Sequence, residues 1–410
     1  MRILLITQYF WPEEFRINEL ASRLAERGHQ ITVLTGLPNY PSGKFFAGYG
    51  FGRRTSEKYK GVDVVRVPLA PRGKGGGMRL SLNYASFAVM ASLLGPIRCR
   101  CTCDAIFVYE PSPITVGIPA IVMKAWTSAP VMFWVQDLWP ESLSATGMVR
   151  SAFILNAVKK LVKFIYAHCD CILVQSKSFI DAIASTGVDR SKIKYFPNSA
   201  EGIFDTVTDC GASLDPSYFP DGFRVMFAGN IGAAQDFETI LKAAELLKEH
   251  QSIHWIIVGD GRKFPWVSEQ VQIRSLCKTV HLLGRHPLES MPAFYSRADV
   301  MLVTLKKDPI FALTIPGKVQ SYLACSRPII AALDGEGARV VEEAGAGWTG
   351  PAEDYAVLAK NVLKAYHTSA DDRGQMALRG RHYFEKNFES STLLDRLEGW
   401  LYELAGRISQ

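Results

Sequence analysis

Short apolar runs alternate along this chain with stretches in which apolar residues recur every three or four positions. The runs predict buried strands and the recurrences predict helices. At the amino end, residues 2–7 (RILLIT) form a run. Ile17, Leu20, Ala21, Leu24 and Ala25 follow at helical spacing, stop at Gly28, and give way to a run at 31–34. Further runs fall at 62–67, 104–109, 131–136, 170–174 and 192–196, with a helix expected over 150–167. A second series opens at 225–228. Helical spacing follows from about residue 235 (Phe237, Ile240, Leu241, Ala244, Leu247), then runs at 253–258, 281–285 and 298–303. Strand and helix in this alternation predict an α/β fold with doubly wound parallel sheets. Residues 201–221, rich in Asp, Gly, Ser and Pro, read as a linker between the two series.

Length agrees, since 410 residues are too many for one ordinary domain. Net charge is +6 and no long basic run concentrates it, so nucleic acid is not an expected partner. The eight cysteines include a Cys99, Cys101, Cys103 group that lacks the paired spacing and histidines of a zinc site; no metal is expected. Residues 3–6 are too short an apolar start for a cleavable leader and are soon followed by Pro12, Glu13 and Glu14, which favours a cytoplasmic location. Residues 80–97 carry no charge and are flanked by Arg72, Lys74, Arg79, Arg98 and Arg100. Such a segment fits either a helix lying on an anionic membrane surface or one packed against the sheet; the polar and Gly-Pro interruptions argue against a span.

Candidate chemistry clusters in loops that follow strands, because ligands of doubly wound folds bind at that sheet edge. In the second series Gly229, Asn230 and Gly232 form a tight turn between a strand and a helix, where main-chain N–H groups and the helix dipole favour an anion such as a nucleotide diphosphate. Gly259, Asp260, Gly261 and Arg262 repeat the arrangement, Arg285 follows the next strand, and Lys318 begins a helix. Any strand–helix unit uses glycine at its turn, so each signal is weak alone. In the first series Glu13, Glu14, Arg16 and Tyr40 are expected to line an acceptor pocket, together with Glu110 and the loop of Gln136, Asp137, Trp139 and Glu141. Capping of helix starts is the plainer reading of several of these carboxylates. The first turn has no G-x-G-x-x-G, which argues against a nicotinamide cofactor.

Four segments taken together, FAGNIGAAQDFETIL, IIVGDGR, LGRHPLESMPAFYSRADVMLV and IPGKVQSYLACSRPIIAALDGEGARVVEEAGAG, resemble the retaining glycosyltransferases of family four, which have the GT-B fold. PEEFRINELASRLAERGHQITVLTGLPNYPSGK and WVQDLWPES are similar to a WbuB-like subgroup, N-acetyl-L-fucosamine transferases of O-antigen synthesis. The resemblance implies two Rossmann-like domains facing a cleft: residues 1–200 with a last helix that crosses back (388–410), and residues 222–387. It implies a nucleotide-sugar donor, UDP-linked, on the second domain, and a sugar on undecaprenyl diphosphate as acceptor at the inner-membrane surface, touched through residues 72–100. No cofactor is implied. By position, Gly229, Asn230, Gly232, Gln235, Asp260, Gly261, Arg285, Met291, Tyr295, Thr314, Pro316 and Ser321 would meet the donor, with Asp137, Lys318 and Arg262 at the reacting centre. The family's Glu-x7-Glu pair falls on Leu313 and Ser321, and its His before Asp137 is Gln136. A UDP-sugar 2-epimerase and a non-catalytic nucleotide-sugar-binding subunit are the alternatives.

Overall fold

Strands buried on both faces are nearly continuous in apolar residues, which is why most of them are visible in the sequence. The computed structural model describes residues 1–73, 76–99, 102–145, 149, 151–200, 202–204, 214–215 and 218–406. Lys74, Arg100, Cys101 and part of the expected linker lie outside them. The chain divides into two units, Met1–Phe196 with Leu394–Gln410, and Pro197–Leu393.

In the first unit the strands are β1 (Arg2–Ile6), β2 (Gln30–Gly36), β3 (Ser56–Tyr59), β4 (Val62–Val67), β5 (Ala105–Glu110), β6 (Val131–Val135), β7 (Cys171–Val174) and β8 (Ile193–Tyr195). They form one sheet in the order β3-β4-β2-β1-β5-β6-β7-β8. All neighbours are parallel except β3 with β4. The loops after β1, β2, β4, β5 and β6 therefore leave from one edge. The helix Gly77–Arg98 packs its Leu80, Asn83, Phe87, Ala91 and Gly95 face inward, against β2, β4 and the helix Gly117–Thr127. Its buried Asn83 is held on both sides: it accepts from Gln8 Nε2 at 2.7 Å and donates to the Ala70 carbonyl at 2.6 Å. The last helix, Ser390–Gly406, returns to this unit from Leu394 on. Arg27 pairs with Asp395 and Glu398 at 2.6 Å, and Lys194 with Glu403 at 2.9 Å.

The second unit has β9 (Phe223–Ala228), β10 (Ile253–Val258), β11 (Val280–Gly284), β12 (Val300–Thr304), β13 (Ile329–Ala332) and β14 (Gly347–Gly350), all parallel in the order β11-β10-β9-β12-β13-β14. One core lies on each face of this sheet.

Several expectations are corrected. The helix after β9 begins at Phe237, not near residue 235; Ala233–Gln235 is a single 3-10 turn and Asp236, at φ 48°, breaks the run before the helix. The first unit ends at Phe196 rather than residue 200. Ala200 and Phe204, the latter inside the expected linker, are buried in the core of the second unit. Phe388 is buried there too, so the return begins at Leu394 rather than 388.

Candidate functional site

Two constellations of the expected residues are built, one in each unit. In the second, β9 ends at Gly229 and β10 at Gly259, and both glycines have positive φ, 132° and 143°. A Cβ on Gly259 would stand 1.9 Å from the Gly229 carbonyl oxygen, so the two turns touch through main chain alone. Ile231 N–H donates to the Asp260 carbonyl at 2.8 Å and Lys263 N–H to the Ile231 carbonyl at 3.0 Å, which ties the second turn to the first. Lys318, at the start of the helix Gly317–Ala324, extends to the same place: its Cε is 2.8 Å from where a Cβ on Gly229 would stand. Its Nζ donates to Gln235 Oε1 and sits 3.6 Å from the centre of the Phe227 ring. No carboxylate pairs with it among the described residues. Burial of its ammonium away from water holds the Lys318 pKa well below that of an ordinary lysine. Glycine turns, a helix start and a cation without a counter-ion are the parts of an anion site. Asn230, Asp260, Arg262 and Arg285 are exposed around it, and Gly232 and Gly261 are half-buried.

Other expected donor residues make contacts within the unit. Met291 and Tyr295 are buried, and Tyr295 stacks on Phe204 at 5.5 Å. They are core residues of this unit, because the helix Met291–Ser296 turns that side onto the sheet. Ser321 is buried and its hydroxyl donates to the Gly317 carbonyl of its own helix at 3.2 Å. Thr314 Oγ1 is likewise occupied by the Phe311 carbonyl at 3.1 Å, and Pro316 caps the Lys318 helix. Sequence reasoning passed over Asp236, whose left-handed backbone conformation stands between the glycine turn and the helix.

In the first unit, Glu13 is buried and braces the next loop. Its Oε1 accepts from Asn39 N–H at 2.8 Å and Tyr40 N–H at 2.7 Å, while Oε2 has no partner. Burial pushes its pKa up to about 7, against the pull of those two amides. Glu13 thus braces the loop of Asn39 and Tyr40; Glu14 beside it is exposed. Tyr40, held in this way, is 38% exposed and forms an aromatic group with Tyr9 and Phe15, the ring centres 5.0–5.8 Å apart. Glu110, at the end of β5, is fully buried, with the main-chain N–H groups of Gln136 and Asp137 beside its carboxyl. Burial, with the charge of Asp137 adding to it, holds its pKa well above the usual carboxylate range, and a fully buried group offers no surface to an acceptor. Asp137, just past β6, is partly exposed, and burial raises its pKa to about 6. Arg16 lies within electrostatic range of Tyr109 at the end of β5. Gln136 is half-buried and Glu141 exposed, while Trp139 is buried edge-on to Tyr84 of the helix Gly77–Arg98, at 6.4 Å.

The arrangement is that of a nucleotide-sugar enzyme, with an anion site in one Rossmann-like unit and a polar and aromatic sheet edge in the other. Residues 14–199 match the family described as Glycosyl transferase 4-like domain, and residues 222–368 match Glycosyl transferases group 1. WbjE of Pseudomonas aeruginosa, named as a glycosyltransferase, is 26% identical over 233 residues, which cover 56% of this chain and 58% of WbjE. WcaI of Escherichia coli (strain K12), named as a colanic acid biosynthesis glycosyl transferase, is 24% identical over 335 residues, 79% of this chain and 81% of WcaI. The crystal structure of Anabaena HepE in complex with UDP shares the fold, with a TM-score of 0.70 at 12% identity over 98% of this chain and 100% of that one. The chain is a glycosyltransferase of GT-B fold, in which the match to the 4-like domain precedes the match to the group 1 domain.

Proposed function

We propose that this protein is a retaining transferase that moves a sugar from a UDP-sugar to a saccharide carried on undecaprenyl diphosphate, in O-antigen or capsule synthesis. An N-acetylated deoxyhexose such as N-acetyl-L-fucosamine is the donor sugar proposed. The observation that carries the reading is Lys318: a crowded ammonium with no carboxylate partner among the described residues, set against two touching glycine turns. Such a cation is stabilised by the diphosphate it meets.

In the reaction the bond from the anomeric carbon to the diphosphate oxygen breaks, and the charge left on the diphosphate is offset by Lys318, by Arg262 and by N–H groups at the helix start. The acceptor hydroxyl bonds to the same face of the anomeric carbon. Its proton passes to the departing diphosphate, so no strong base is required. Asp137, ionised above about pH 6, orients a substrate hydroxyl.

Membrane contact is part of the proposal. On the helix Gly77–Arg98 the solvent side carries Met78, Leu82, Val89, Leu93 and Ile97, between 55% and 89% exposed. The helix is long and apolar enough to cross a membrane, but its opposite face is committed to the domain core through Asn83 and Phe87. An apolar stripe on an anchored helix suits the interface of a bilayer. The helix Ala152–Ala167, which like Gly77–Arg98 packs on the helix Gly117–Thr127, adds exposed Phe153, Ile154 and Phe164 beside Lys159, Lys160 and Lys163, a pairing that favours anionic lipid.

The test is a screen of UDP-, GDP- and dTDP-sugars by thermal shift, followed by transfer to a short isoprenyl diphosphate saccharide with the product's anomeric configuration read by NMR. A ligand at 100 times its dissociation constant adds about 2.7 kcal/mol. Stabilisation by no UDP compound, or a product of inverted configuration, would overturn the reading.

A further inference from the structure

Arg72 lies in the loop between β4 and the helix Gly77–Arg98, at the sheet edge that also carries Tyr9 and Tyr40. Its guanidinium is centred 5.1 Å from the middle of the Tyr40 ring and 5.7 Å from that of Tyr9, and its Nη1 donates to the Tyr9 hydroxyl at 2.7 Å. Burial keeps that phenol protonated, so Tyr9 orients the guanidinium without neutralising it. The main chain is fixed as well: Arg72 N–H donates to Asn39 Oδ1 at 3.0 Å, in the loop that Glu13 holds. Among the described residues no carboxylate pairs with Arg72. A guanidinium has five N–H donors in a planar fork that matches phosphate oxygens, and here most of the fork is unspent. Two chemistries therefore meet at this corner. One is a pre-set cationic fork beside an exposed aromatic ring. The other is the apolar stripe that starts at Met78, a few residues further along the chain.

We infer that Arg72, on its floor of Tyr9 and Tyr40, binds the diphosphate of a polyisoprenyl diphosphate acceptor, with the hydrocarbon running along the stripe from Met78 through Leu82. This deepens the proposed function and rests on its reading of the acceptor as lipid-linked. Phospholipid headgroups offer the same phosphate chemistry, so the experiment separates the two sources.

The probe is geranyl diphosphate, titrated calorimetrically into the full-length protein with UDP at saturation, for wild type, Arg72→Gln and Arg72→Lys. Loss of the charge-assisted fork predicts about tenfold weaker binding in Arg72→Gln and a smaller loss in Arg72→Lys, with UDP affinity unchanged. Phosphatidylglycerol vesicles form the second arm, and their binding is expected to change little. Equal affinity of wild type and Arg72→Gln for geranyl diphosphate overturns the inference. So does loss of vesicle binding with geranyl diphosphate binding intact, which would assign Arg72 to bulk lipid. Should Arg72→Gln not fold, Arg72→Lys keeps the charge and carries the comparison alone. Arg72-dependent binding in a protein that transfers no sugar would overturn the enzymatic reading and leave this site standing. Arg72-independent binding in an active transferase would do the reverse.

Discussion

Glu13 gives a prediction whose sign and size follow from its surroundings. Its carboxyl is 2% exposed and its pKa is raised from 4.5 to about 7. Because the folded form holds its proton more tightly than the unfolded chain, stability is undiminished below about pH 4.5. It falls as pH rises through that interval and carries the full penalty above pH 7. At about 1.4 kcal/mol per pH unit, the penalty is about 3 kcal/mol. Glu13→Gln keeps an oxygen for the Asn39 and Tyr40 amides and removes the titration. It places an amide NH2 where Oε2 lacks a partner, at a cost of about 1 kcal/mol. Relative to wild type the variant should be slightly destabilised at pH 5 and stabilised by about 2 kcal/mol at pH 8.5, these being the two terms combined. Glu13→Ala should show the same swing, displaced downward by about 2–4 kcal/mol because two buried N–H groups lose their acceptor. The assay is urea unfolding at a series of pH values, compared at the transition that the substitution moves, since two domains need not unfold together. A difference between wild type and Glu13→Gln that stays flat from pH 4.5 to 8 would refute the argument.

Three further outcomes are expected. Lys318→Ala should lower turnover by about 100- to 1,000-fold, the scale on which a preorganised charge acts, with a melting temperature no lower than wild type; wild-type turnover would remove Lys318 from the chemistry. Gly259→Ala should cost about 1–3 kcal/mol from its φ alone and weaken UDP binding, because its Cβ would displace the Gly229 carbonyl; unchanged denaturation and UDP affinity would contradict the touching of the turns. Leu82→Glu with Leu93→Glu should abolish co-sedimentation with phosphatidylglycerol vesicles and leave transfer to a water-soluble acceptor intact, whereas retained vesicle binding would dismiss the stripe as the membrane face.

What the sequence makes legible follows from burial. A parallel strand covered on both faces is apolar at nearly every position, so β1, β6, β9, β10 and β12 stand out. The edge strand β3 (SEKY) pairs on one side only and is polar, and β14 (GWTG) is short and rich in glycine, so neither has a pattern to find. Helical spacing likewise gives a periodicity without saying which side meets a ligand. Met291 and Tyr295 carry the same signal whether they line a site or, as here, fill a core with Phe204. Composition misled at Phe204 itself, an aromatic in a polar stretch whose stacking partner, Tyr295, lies far along the chain. Glu13 and Glu14 are indistinguishable as letters, yet one is a buried brace and the other is exposed. Which of them turns inward is decided by the Asn39–Tyr40 amides, and no local rule reports that. The glycine turns were readable because close approach of main chain requires glycine wherever it occurs.

Lys318 ties this asymmetry to binding. A protein that crowds an ammonium without a carboxylate beside it gives up stability in the unliganded state, since desolvation opposes the charge and an amide oxygen and an aromatic face return only part of it. A diphosphate arriving at the same point reverses the balance and raises the lysine's pKa. Binding of UDP should therefore draw a proton from solution at a pH where the unliganded lysine is partly neutral. Calorimetric titrations at alkaline pH, in two buffers of different ionisation enthalpy, read that uptake directly. Wild type should show a buffer-dependent enthalpy that Lys318→Met lacks. Identical buffer dependence in the two proteins would mean that the ammonium is already fully charged before UDP binds, and its desolvation would no longer explain why this lysine awaits an anion.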